Sequence, residues 1–184
     1  MANRFLQSIR LVLDAAASGQ FRVALIGGFA LAFYGVQRAT GDVDFLADGI
    51  GSDALHSVLL EGGAVCLHRS EDAANYGPGT SELSPVDFIY ARRERALAML
   101  ARAKGKRVGG EALKVPVVDA EALIGLKLQG IVNEPSRRHQ DEADIRALLK
   151  ARVDQLDEQV LRDYYRVFER EWELDELLAE LRKR

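Results

Sequence analysis

The sequence predicts an α+β fold: a small mixed β-sheet flanked by helices, with a helical C-terminal segment. Three observations carry that expectation. Short apolar runs of β character, at 23–26, 42–46, 64–68 and 85–90, are bounded by Gly, Pro and Ser. Helical periodicities lie between and around them, at 3–18, 29–34, 52–60 and 92–103. From residue 119 onward every periodic stretch is helical.

Taken in order, Phe5, Leu6, Ile9, Leu11, Val12 and Leu13 recur at near-helical spacing, so 3–18 forms an amphipathic helix that Gly19 ends. The strand at 23–26 is broken by Gly27 and Gly28, where a helical segment over 29–34 begins. Gly35 marks a turn, and Arg38, Ala39, Thr40 and Gly41 lead into a strand at Asp42. Ser52 and Asp53 can cap a helix to Leu60 that Gly62 and Gly63 close. Residues 64–68 then read as a strand. The polar, Gly- and Pro-containing stretch 69–84 reads as a loop before the strand at 85–90. A helix over 92–103 precedes a turn and a further strand within 104–114. Asp119 caps the next helix, with Glu121 in its first turn and Ala122, Leu123, Leu126, Leu128 and Ile131 behind it. Pro135 and Ser136 interrupt the chain before a helix over 137–151. The stretch 157–184 is helical and charge-laced, with Leu161, Tyr164, Tyr165, Phe168, Trp172, Leu174, Leu177, Leu178 and Leu181 on its apolar face.

Bulk properties narrow the class. At 184 residues, 48% hydrophobic and 29% charged, the chain suits one well-buried domain with a small helical appendage. A net charge of −3 argues against coating nucleic acid by overall electrostatics, though not against a local basic patch. The lone Cys66 cannot form an internal disulfide. Arg10 and Asp14 interrupt the N-terminal apolar residues, so no signal-peptide core is read there, and the uncharged run 23–37 is shorter than the ~20 residues a bilayer needs. A soluble, cytoplasmic protein with no membrane partner is expected.

The chemistry gathers around Gly27, Gly28, Asp42 and Asp44. Two glycines after a strand let backbone N–H groups approach an anion, and the helix that follows contributes partial positive charge; the plainer reading is a tight turn. Asp42 and Asp44 alternate along a strand and so share a face, opposite Val43 and Phe45. Two such carboxylates repel unless a cation sits between them, and Mg²⁺ is the obvious one; the plainer reading is a polar outward face. Asp87, framed by Val86 and Phe88 as Asp44 is by Val43 and Phe45, predicts neighbouring strands and a third carboxylate converging on the pair; the plainer reading is a strand-edge carboxylate pointing to water.

Two further features stand apart. Arg92, Arg93, Arg95, Arg102, Lys104, Lys106, Arg107 and Lys114 face only Glu94 and Glu111, a local charge of +6 that reads as a solvated helix face or as the seat of a polyanion. Lys127, inside an apolar helix, either snorkels to solvent or is aimed into a site.

Together, Gly27-Gly28, thirteen residues, Asp42-Val43-Asp44-Phe45 and then Val86-Asp87-Phe88 resemble the nucleotidyltransferase superfamily of the DNA polymerase β type, whose core is of α/β type. Gly28-Phe-Ala-Leu-Ala-Phe-Tyr-Gly35, Arg38-Ala-Thr-Gly-Asp42, Ala122-Leu-Ile-Gly-Leu-Lys-Leu128 and Asp141-Glu-Ala-Asp144 resemble its AbiEii-like group, toxins of bacterial toxin–antitoxin systems and their stand-alone relatives. The chain departs from it in having Gly-Gly where many members have Gly-Ser, and in lacking the large C-terminal helical region of the longer toxins. The resemblance implies a nucleotidyltransferase domain over 1–150 and a helical extension over 151–184. It implies an enzyme that, with Mg²⁺, transfers a nucleoside monophosphate from an NTP co-substrate to a hydroxyl and releases pyrophosphate. Asp42, Asp44 and Asp87 would hold one or two Mg²⁺ ions, with Asp87 able to accept the hydroxyl proton. Gly27 and Gly28 would present N–H groups to the phosphates, Lys127 would add positive charge on the triphosphate, Asp141 or Asp144 would orient that lysine, and Arg38 and Thr40 would contact phosphates or the acids. An RNA or tRNA acceptor and an antitoxin partner follow from the toxin role. A small-molecule acceptor of aminoglycoside type, a protein acceptor, and a noncatalytic nucleotide-binding or interaction protein stand as alternatives.

Overall fold

The computed structural model describes residues 2–108 and 113–183. It divides into two compact units, 1–30 with 39–118 and 31–38 with 119–184. Each is taken by itself.

The first unit is built on a mixed sheet of seven strands: β1 (Val23–Leu25), β2 (Val43–Asp48), β3 (Val65–Arg69), β4 (Ala73–Gly77), β5 (Val86–Ala91), β6 (Lys104–Arg107) and β7 (Lys114–Val117), in the order β3-β4-β5-β2-β1-β7-β6. β2 runs parallel to β5 and β1 parallel to β7; the other neighbours are antiparallel. Its helices are α1 (Ala2–Gly19), α3 (Ser52–Glu61) and α4 (Glu94–Arg102), while α2 (Gly27–Ala32) carries the chain from β1 toward the second unit. Residues 109–112, between β6 and β7, lie outside the described residues, and Glu111 of the basic stretch with them.

The period of two decides what the sheet buries. Val43, Phe45, Val86 and Phe88 fall on one face and are buried, while Asp44 and Asp87 fall on the other and are half-buried. Phe45 and Phe88 are opposite each other in register and stack at 5.8 Å, Tyr90 stacks on Phe88 at 6.0 Å, and Tyr76 meets Phe88 edge-on at 6.0 Å. Ile9 and Val12 of α1 and Leu55 and Leu59 of α3 are fully buried. Burial raises the pKa of the Tyr76 hydroxyl well above its usual range, so it stays protonated in its 3.0 Å hydrogen bond with His56 Nδ1.

One expectation is corrected here. The stretch 69–84 is not loop throughout: 73–77 is the strand β4, joined to β3 by a tight turn in which Ser70 and Ala73 exchange hydrogen bonds. Ala-Ala-Asn-Tyr-Gly has little strand propensity of its own. Its state is imposed by pairing with β3 on one side and β5 on the other.

The second unit is helical: α5 (Ala120–Asn133), α6 (Arg138–Arg152), α7 (Glu158–Val167) and α8 (Glu171–Arg182). Asp119 caps α5, accepting from the Ala122 N–H at 2.7 Å, and Asp157 caps α7, accepting from Gln159 and Val160. Gly125 leaves room for the Tyr164 ring, whose nearest atom would lie 2.7 Å from a β-carbon there. The C-terminal helical stretch is two helices rather than one, because Glu169 adopts φ +56 and ends α7. That break leaves Trp172, expected on the apolar face, 60% exposed, while Leu161, Tyr165, Leu174 and Leu178 are buried as expected.

Phe88 carries the packing of the first unit, so Phe88→Ala should lower its stability by about 3–5 kcal/mol. Urea unfolding followed by circular dichroism measures this; a loss below about 1 kcal/mol would contradict the packing described.

Candidate active site

Asp44 sits on β2 directly opposite Asp87 on the parallel strand β5, and both project from the face away from the aromatic stack. Asp42 precedes β2 rather than lying within it, in a bend that Val43 anchors by donating its N–H to Pro85 O at 2.9 Å. Carboxylate oxygens of Asp42, Asp44 and Asp87 all lie within 4.8 Å of one another. Register brings Asp44 and Asp87 together, and the bend turns Asp42 toward them.

Two neighbours hold this arrangement. Thr40 Oγ1 donates to Asp42 Oδ1 at 2.7 Å, fixing the carboxylate that no strand supports. Gly27 has φ +63, and a β-carbon there would fall inside the Asp44 carboxylate. The backbone is further tied by the Ile26 N–H, which donates to Asp44 O at 3.0 Å. Glycine at 27 therefore makes room for an acid as well as forming the turn after β1, a role that the sequence pattern alone did not assign. Gly28 is the second residue of α2 and is buried.

In the helical unit the remaining expected residues form a second cluster. Lys127 Nζ lies 2.7 Å from Asp141 Oδ1 and 2.6 Å from Asp144 Oδ2, and all three side chains are less than 10% exposed. Arg38 Nε approaches Asp144 Oδ2 at 3.5 Å, and Arg137 Nε approaches Asp141 Oδ2 at 3.7 Å. The Asp141–Asp144 spacing puts both acids on one side of α6, facing the lysine of α5. Gly130 on α5 admits Asp141, whose Oδ2 would stand 3.0 Å from a β-carbon at 130. Lys127 is thus held in place rather than snorkelling. The contact of Arg137 was not anticipated; only its i,i+4 spacing from Asp141 could have signalled it.

The donor set of the first cluster consists of carboxylate oxygens, the ligands that hard divalent cations such as Mg²⁺ and Mn²⁺ prefer. It fits such an ion chemically. The basic stretch is divided: Arg92 Nε donates to Glu71 O at 2.9 Å, α4 carries Arg95 and Arg102, and Lys104, Lys106 and Arg107 lie on the edge strand β6.

Two variants test this geometry. Gly27→Ala should strain a left-handed backbone by about 1–2 kcal/mol and displace Asp44, so Mn²⁺ binding followed by calorimetry should weaken at least tenfold; unchanged binding would contradict the contact. Lys127→Met should leave the buried Asp141 and Asp144 with only the longer contacts of Arg137 and Arg38 and destabilise the chain by about 3 kcal/mol in urea unfolding.

No protein-family model and no curated protein sequence matches the chain. Solved structures do. The antibiotic-resistance factor ANT(2'')-Ia, in solution, aligns with a TM-score of 0.64 at 16% identity, over 96% of this chain and 97% of that one. The crystal structure of ANT(2'')-Ia in complex with adenylyl-2''-tobramycin aligns with a TM-score of 0.57 at 17% identity, over 88% of this chain and 98% of that one. An antigenic nucleotidyltransferase-like protein from Paracoccidioides brasiliensis aligns with a TM-score of 0.56 at 16% identity, over 97% of this chain and 93% of that one. The chain therefore has the nucleotidyltransferase fold.

Proposed function

We propose that this chain is a divalent-metal-dependent nucleotidyltransferase, transferring a nucleoside monophosphate from an NTP to a hydroxyl group. The observation that carries the reading is the convergence of Asp42, Asp44 and Asp87 within 4.8 Å on one face of the sheet. Those three residues would hold Mg²⁺, which when bound neutralises phosphate charge and lowers the pKa of a coordinated hydroxyl. Asp87 would accept the proton as the acceptor oxygen bonds to the α-phosphorus and the α–β phosphoanhydride bond breaks, releasing pyrophosphate. Thr40 would keep Asp42 oriented. Gly27 and Gly28 would offer backbone N–H groups to the phosphates; the triphosphate role of Lys127, Arg38, Asp141 and Asp144 rests on the sequence resemblance. The Asp141 and Asp144 carboxylates fix that lysine.

The acceptor is the open choice. An RNA or tRNA acceptor drew support from the basic stretch, but cations on an edge strand such as β6 also serve to block strand addition. A small hydroxyl-bearing acceptor is the second reading, favoured by the whole-length likeness to ANT(2'')-Ia, which has been solved with adenylyl-2''-tobramycin. The AbiEii-like grouping, the toxin role and an antitoxin partner rest on the sequence resemblance. No described helix is long and apolar enough to cross a membrane; a soluble, cytoplasmic protein rests on the sequence reading.

Incubation with Mg²⁺, each α-³²P-labelled NTP, and bulk tRNA, tobramycin or a protein extract as acceptor should move label into one pool. Asp42→Ala/Asp44→Ala should lower that transfer at least about a thousandfold. Undiminished transfer by the double variant would overturn the site.

A further inference from the structure

The register that pairs Asp44 with Asp87 continues outward. Asp87 is opposite Asn75 on β4, and Asn75 is opposite His68 on β3. Paired residues share a face, so Asp44, Asp87, Asn75 and His68 form a row across four strands on one side of the sheet. With strands about 4.8 Å apart, Asn75 stands one strand beyond the acids and His68 about 10 Å from Asp87.

This half of the face is open and amphipathic. Ile89, on the same face as Asp87, is 41% exposed, and Val65 and Leu67 on β3 are 50% and 69% exposed. Leu67 lies across Gly77, 3.3 Å from where a β-carbon would stand, so its side chain is on the face that carries Asn75. An amide and an imidazole beside exposed aliphatic groups can hydrogen-bond hydroxyls while covering the C–H face of a ring.

Charge decides between occupants. From residue 64 to 91 the only Lys or Arg is Arg69, which pairs with Asp53, against Glu71, Asp72, Glu82 and Asp87; Arg92, just beyond, lies 3.9 Å from Glu71. The cations Lys104, Lys106, Arg107 and Lys114 lie at the opposite edge of the sheet, on β6 and β7. A polyanion gains nothing at the β3–β4 edge, whereas a neutral or cationic molecule does.

Resting on the transfer reaction above, we propose that the face of β3, β4 and β5 beyond Asp87 is the acceptor subsite, that Asn75 and His68 hydrogen-bond the acceptor, and that the acceptor is a neutral or cationic polyhydroxylated small molecule. One ring would present its hydroxyl to Asp87 while the rest of the molecule lies over Asn75, Leu67 and His68.

The test uses the whole chain with Mg²⁺ and a nonhydrolysable NTP analogue. Calorimetry measures binding of the analogue, then of tobramycin, a polyhydroxylated polyamine, and separately of a ten-nucleotide RNA. Tobramycin should bind more tightly than the RNA, and Asn75→Ala and His68→Ala should each weaken it about tenfold, as loss of a hydrogen bond to a polar ligand does. Analogue affinity should change less than twofold. His68 is exposed, so its variant keeps the test informative if Asn75→Ala does not fold. Tighter RNA binding, absence of tobramycin binding, or tobramycin binding unmoved in both variants would overturn the subsite while leaving nucleotidyl transfer intact. Failure of the wild-type chain to bind the analogue would overturn the transfer reading, and the subsite with it.

Discussion

Three carboxylates held within 4.8 Å of one another are the constraint around which the first unit is arranged. Like charges at that separation oppose the fold unless a cation joins them. The protein nonetheless supports them from several directions. Parallel pairing of β2 with β5 places Asp44 against Asp87, the Thr40 hydroxyl fixes Asp42, and Gly27 gives up its side chain to the Asp44 carboxylate. The aromatic stack of Phe45, Phe88 and Tyr90 on the reverse face anchors the same two strands, so hydrophobic burial works against the repulsion.

The helical unit solves a related problem differently. There the buried acids Asp141 and Asp144 are matched by Lys127 within the cluster and by Arg38 and Arg137 at its margin. The helical cluster carries its own cation, Lys127; Asp42, Asp44 and Asp87 are the carboxylates that the proposed reaction would give to a divalent ion.

Much of this was legible in the sequence because a period of two carries over directly from residues to sheet faces. Val43-Asp44-Phe45 and Val86-Asp87-Phe88 announce matching strands, and the structure aligns them residue for residue. The nucleotidyltransferase fold itself was readable from those elements in order. Asn75 was not, since Ala-Ala-Asn-Tyr-Gly becomes a strand only through its neighbours. The break at Glu169 was hidden for the opposite reason: no glycine or proline marks it, and a non-glycine residue takes the left-handed conformation. Gly27 reads in the sequence as a turn that offers N–H groups to phosphate, and its closeness to Asp44 becomes visible only with the pairing of β1 with β2.

In the proposed reaction the acidic cluster brings a cation and a nucleotide together. Titration of an NTP into the chain with Mg²⁺ and again with excess chelator tests this most directly. Binding should require the ion and be lost with the chelator; equal binding in both conditions would contradict the proposed site.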